Sequence, residues 1–334
     1  MKLKKEYLIL ILIIIGLSAY LLMRSSDRTL YQLPEIEELK QSEISKIEIS
    51  QGDNSVILTK RDNQWYLEPA GYLADQTKVN AMLDVFEDLT LTALVSESKD
   101  YNRYDLGAEK RINVKAWQQT TLKRNFDIGK AAASFRHTFV KLNGNSRVFH
   151  ARDNFRSKFD FTIDDLRDKT VLAFKTTDIR QIEVTKDAHS VKLARSEVPV
   201  KPVAAQQQKA DTAPAAAVKF EWQNEEGQKG NDRKLNQLLT TVGDLKCADY
   251  INDRQKNSFS APIYTVKLKG IQDYQLDIFA KLQTDDKKYP AVSSDSDYPF
   301  WLSENKVQQI MINPEEMIKT LESEAKTSKA PKPE

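Results

Sequence analysis

The 334-residue sequence predicts an α+β fold, with an N-terminal transmembrane helix followed by two tandem copies of an antiparallel-sheet-plus-helix module. Three observations predict it. Residues 7–23 form an apolar run without a charge. A pair of strand-like segments recurs 135 residues later, and a helical apolar stripe recurs 156 residues later.

The apolar run reads YLILILIIIGLSAYLLM, 17 residues from Tyr7 to Met23. That length is at the short end of what spans a hydrocarbon core as a helix, and a helix satisfies its own backbone hydrogen bonds in lipid. The alternative is a buried core helix; the run is apolar all round and lies at the extreme terminus, which favours an anchor. The rival reading is a cleaved signal peptide, although a cut after Ala19 would place Leu17 where a small residue is wanted. No cysteine follows closely, which excludes lipoprotein processing. Lys2, Lys4 and Lys5 precede the run, whereas Arg24 and Arg28 follow it with Asp27 between them. The excess of lysine before the run predicts a cytoplasmic N-terminus and a translocated bulk. In a bacterium that is a single-pass inner-membrane protein facing the periplasm or cell exterior.

The duplication sets the rest. Ile44, Ile47, Glu48, Ile49, Val56 and Leu58 match Ile179, Ile182, Glu183, Val184, Val191 and Leu193 at a constant offset of 135. Both sets alternate as half-buried strands do. Val79, Met82, Leu83, Phe86 and Leu89 lie on one helical face and match Leu235, Leu238, Leu239, Val242 and Leu245 at 156. Asp75 and Asn231 stand before the two stripes as N-cap residues. The offset grows by 21, and residues 197–217, rich in Ala, Pro and Gln, number 21. They read as a flexible insertion within a hairpin of the second copy. Val114 and Lys115 then match Val266 and Lys267, and Phe126-Asp127-Ile128 matches Leu276-Asp277-Ile278. Each copy therefore reads as three strands, a helix, about four strands and a short helical end at Ile163–Leu166 or Pro314–Met317. The expected organisation is a cytoplasmic tip at 1–6, the anchor at 7–23, a juxtamembrane segment at 24–43, modules at 44–175 and 176–321, and a disordered tail at 322–334.

Composition narrows the function classes. Hydrophobic residues make up 40% and charged residues 29%, which is enough for packed cores. Beyond the first six residues, 47 basic residues face 47 acidic ones, without the basic footprint of a nucleic-acid binder. One cysteine forms no internal disulfide, and His137, His150 and His189 are scattered, which argues against a metal site. Ten glycines leave little material for a phosphate-binding loop.

The remaining candidates for chemistry are weak. Ser303-Glu304-Asn305-Lys306 fits the Ser-x-x-Lys pattern of penicillin-recognising enzymes, but the companion Lys-Thr-Gly is absent, so a loop entering the last helix is expected. Asp127 and Asp277 occupy equivalent places and could share a proton across a pseudo-twofold axis; their alternating strands predict solvent-facing carboxylates instead. Cys247 aligns with Leu91, as a small core residue would. Trp65, Trp117, Trp222 and Trp301 all fall in predicted strands, where they fit core or hairpin packing better than a binding face. No catalytic, cofactor-binding or metal-binding residue is assigned.

The strand around Ile47-Glu48-Ile49, the strand Asn63-Gln64-Trp65-Tyr66-Leu67, the helix start Ala74-Asp75 and the junction Leu166-Arg167-Asp168-Lys169 resemble the DUF4340 family. The resemblance runs from the anchor to about Met317. Where that family often has Tyr-Gly-Leu, this chain has Tyr104-Asp105-Leu106-Gly107. The resemblance implies a bacterial membrane-tethered protein, often encoded beside ABC transporter components, with no established activity. Two functions are consistent with all this. One is a non-enzymatic scaffold or auxiliary subunit with protein partners in an inner-membrane transport complex. The other is an envelope enzyme or binding protein acting on a glycan or peptide in the cleft between the modules.

Overall fold

The computed structural model describes residues 12–20, 31–187, 189–199, 218–282 and 287–319. The expected cytoplasmic tip and tail, and most of the 197–217 insertion, lie outside the described residues. Of the expected anchor, residues 12–20 are described. They form a helix, α1, with exposed side chains. Among the described residues no helix is long and apolar enough to cross a membrane.

The chain divides into two compact units, 1–167 and 168–334. The first contains β1 (Lys46–Gln51), β2 (Asn54–Arg61), β3 (Gln64–Glu68), β4 (Tyr72–Leu73), α2 (Gln76–Asp88), β5 (Leu91–Ser96), β6 (Ile112–Gln118), β7 (Thr121–Ala131), β8 (His137–Leu142), β9 (Val148–Arg152) and α3 (Ile163–Leu166). Its nine described strands form one sheet in the order β4-β3-β2-β1-β6-β7-β8-β9-β5. Alternation decides which side chains enter the core: Ile47 and Ile49 of β1 and Leu58 of β2 are buried, together with Val79, Met82, Leu83 and Phe86 of α2. Phe86 meets Phe126 edge-on at 6.0 Å and Phe159 at 5.6 Å.

The second unit contains β10 (Thr170–Ala173), β11 (Ile179–Lys186), β12 (His189–Pro199), β13 (Val218–Gln223), α4 (Asp232–Val242), β14 (Asp244–Lys246), β15 (Asp249–Tyr250), β16 (Tyr264–Gly270), β17 (Tyr274–Ile278), β18 (Lys288–Ser293), β19 (Phe300–Ser303) and α5 (Glu304–Ile310). Eight strands run in the order β13-β12-β11-β16-β17-β18-β19-β15, while β10 pairs with β14. That is the order of the first sheet without β4. The registers repeat as well. Ile49 opposes Val56 and Val114, and Val184 opposes Val191 and Val266. Glu48 meets Lys115 at 3.3 Å, and Glu183 meets Lys267 at 4.0 Å, at corresponding places on the two sheets. The stripe Leu235, Leu238, Leu239 and Val242 is buried beneath α4.

Three features depart from the sequence reading. The division falls after Arg167, because Thr170–Ala173 pairs with Asp244–Lys246 of the second unit. In the first unit, Leu39 is buried in the core and Ile36 packs against it, so the segment assigned beside the membrane contributes to the fold. The insertion begins in regular structure. The first hairpin closes at Arg61 opposite Gln64 with a two-residue turn, Asp62 and Asn63 both at positive φ. The second continues past the equivalent pair, Ser196 opposite Glu221, through Glu197, Val198 and Pro199, which oppose Phe220, Lys219 and Val218.

Candidate functional site

Residues directly opposite one another on neighbouring strands share a face of the sheet. Val140 opposes Ile128 and Phe149, and all three are buried on the side facing α2. Phe139 and His150, opposite one another, are therefore on the far side, with His137 two residues before Phe139. The three rings form a row: Phe139 to His150 at 4.9 Å, and His150 to His137 stacked at 5.2 Å with 25° between planes.

A turn from the β5–β6 connection extends that row. Residues Tyr101–Tyr104 form a 3₁₀ turn closed by Asp105 in the left-handed conformation, with φ 53°. Aspartate tolerates this region better than most residues, so the turn forms without the glycine common in the resembling family. The turn can lie on the sheet because Gly129 of β7 has no side chain; a Cβ there would collide with the Tyr104 carbonyl. The Tyr101 hydroxyl donates to the Ser146 carbonyl at 3.0 Å. Tyr104 is thereby placed 4.9 Å from Phe139, ring to ring.

Above these rings lies a shallow groove of about 750 Å³, bordered by Arg103 and Lys130. Both cations are exposed, and among the described residues neither has an ion-pair partner. Among the described residues no carboxylate lines the groove. Burial, and then the neighbouring His137, hold His150 below the ordinary imidazole value. The arrangement can stack a ring and neutralise an anion. Its residues were not singled out from the sequence as a group, although the alternation His137-x-Phe139 ahead of His150 was the available signal. Histidines that are scattered in sequence become neighbours through the β8–β9 pairing.

The residues considered from the sequence have other places. Ser303 ends β19 and caps α5, its side chain accepting from the Lys306 N–H, so the Ser-x-x-Lys pattern is a helix start. Asp127 was expected to face solvent; it is buried. The far face is covered there, and the carboxylate accepts from Asn113 at 2.8 Å and pairs with Lys141 at 2.8 Å and Arg111 at 3.6 Å. Asp277 accepts from Thr265 and Gln275, each at 2.7 Å, so each aspartate is satisfied within its own unit. Cys247 is buried in the second core, as are Trp65 and Trp222 in their respective units. Trp117 and Trp301 are half-buried, with Lys46 over the Trp117 ring at 5.2 Å. Among the described residues, no three His, Cys, Asp or Glu side chains are placed to hold a metal ion.

A second cavity, of about 450 Å³, lies between the β1–β2 turn and residues 159–165. Asp165 on its wall is engaged in a capping box with Thr162 at the start of α3.

A sequence model described as "Domain of unknown function (DUF4340)" matches residues 65–262, more than half of the chain. No match is found among curated proteins or among solved structures.

Proposed function

Because the chain belongs to the DUF4340 family, whose function is unknown, membership assigns it no activity, and we propose that it is a membrane-tethered, non-enzymatic scaffold or auxiliary subunit of an ABC-type transport complex in the bacterial envelope. The observation that carries this reading is the exposure of α1. Leu12, Ile13, Ile14, Ile15 and Leu17 are all more than half exposed on a helix with no polar face. Each such side chain left in water forgoes roughly 1.5–3 kcal/mol that burial would recover. A bilayer supplies that burial, and the surrounding run, residues 7–23, continues without charge. The lysines at positions 2, 4 and 5 orient the rest of the chain outward. Ser303, Asp127 and Cys247, the side chains with the best claim to chemistry, all have structural roles, which favours a scaffold over an enzyme.

Tethering confines the units to a thin layer and raises their effective concentration for membrane-bound neighbours. The test is complementation in cells lacking the protein. A version exported without residues 7–23 should keep its melting temperature yet fail to restore function, and an unrelated transmembrane helix in that place should restore it. Full complementation by the untethered version at native abundance would overturn the proposal.

A further inference from the structure

We propose that the groove on the far face of the first unit's sheet binds an acidic saccharide, a sugar chain carrying carboxylate or phosphate groups. This assignment concerns the ligand of one unit and does not rest on the tether.

Three features of the groove determine the ligand class. The first is charge. Among the described residues, Arg103 and Lys130 project at its border without ion-pair partners, and no carboxylate lines it. Cations left uncompensated beside a concave surface attract an anion, and the Arg guanidinium matches carboxylate and phosphate oxygens with two parallel donors. The second is the floor. Tyr104, Phe139 and His150 present rings spaced at 4.9 Å but tilted by 53° and 41° to one another. Ring faces carry negative potential and attract the polarised C–H groups of a sugar. A flat base would cover one tilted ring and miss the next, whereas a puckered chain can follow them. The third is the backbone. Strands β8 and β9 lie inside the sheet, paired with each other and with β7 and β5, whereas peptide addition needs a sheet edge. A saccharide brings hydroxyls that stay in water above an open groove.

The volume, about 750 Å³, is in the usual range for ligand sites. Among the described residues, the second unit does not repeat the site. In the second, the position of His150 is taken by Trp301 opposite Pro290, and Lys288 stands in place of His137.

Titration calorimetry on the full chain in detergent tests the proposal. The probes are uronate oligosaccharides and sugar phosphates, with neutral methyl esters of the uronates, oligoglutamate and a nucleoside monophosphate as comparisons. Acidic saccharides should bind, more weakly as salt rises, and the esters should bind less well. Arg103→Ala and Lys130→Ala, both at exposed positions, should each raise Kd at least about tenfold with the melting temperature unchanged. Phe139→Leu should raise Kd for acidic and neutral sugars alike. The proposal is overturned if no acidic saccharide binds, if the two cation variants bind as the parent does, or if oligoglutamate or the nucleotide binds as well as the sugars.

Discussion

The Asp75 backbone N–H donates to the carbonyl of Leu166 at 2.7 Å, tying the start of α2 to the last turn of its own unit. Asn231 and Met317 make the same bond at 2.7 Å in the second unit. Beside them, Ala74 bridges Arg167, and Gly230 bridges Ile318. The repeat thus extends from apolar patterning to a single backbone hydrogen bond. In each unit the short C-terminal turn closes the module by holding the helix N-terminus.

The cap itself should be measurable. The Asp75 side chain accepts from the N–H groups of Thr77 and Lys78, and Asn231 accepts from Lys234. Asp75→Ala and Asn231→Ala should each cost about 1 kcal/mol, read by urea unfolding, whereas Asp75→Asn should cost much less.

The cores should respond equally in both units. Leu83 and Leu239 occupy corresponding sites beneath α2 and α4, 4% and 1% exposed. Truncating either to Ala should destabilise its unit by roughly 2–5 kcal/mol. A melting curve insensitive to Leu239→Ala would contradict the packing described for the second unit.

Asp127 should matter to stability through its buried ion pairs and hydrogen bond. Asp127→Asn keeps the shape but leaves Lys141 without its close partner. The expected loss is about 1–3 kcal/mol in denaturant titration, the scale of a hydrogen bond to a charged group. Asp277→Asn, whose partners Thr265 and Gln275 are uncharged, should cost less.

His150 gives the first unit a pH dependence. Burial, then His137, depresses its folded value below the unfolded 6.5. Between the two values the unfolded chain binds the extra proton, so stability falls as pH drops below about 6.5 and the loss is complete below the folded value. His150→Gln should flatten the melting temperature in that window relative to the parent protein. An unchanged slope would show that other groups set it.

Much of this protein is determined by its sequence alone. The two-residue alternation of β1 and β11, the helical stripes of α2 and α4, and their constant offsets specify two copies of one α+β module. Those signals are legible because strand and helix periodicities arise from local backbone geometry. Tertiary structure decided what happens on the far face of the first sheet. Alternation marks Asp127 as pointing away from α2, but it is buried there among partners that other strands and the β5–β6 connection bring: Asn113 of β6, Lys141 of β8 and Arg111. His137 and His150 meet only because β8 pairs with β9 in one register, and Arg103 reaches the same groove through a connection with no periodicity of its own. Such meetings are set by non-local pairing and by which surfaces the loops cover, and no local window of sequence contains that information.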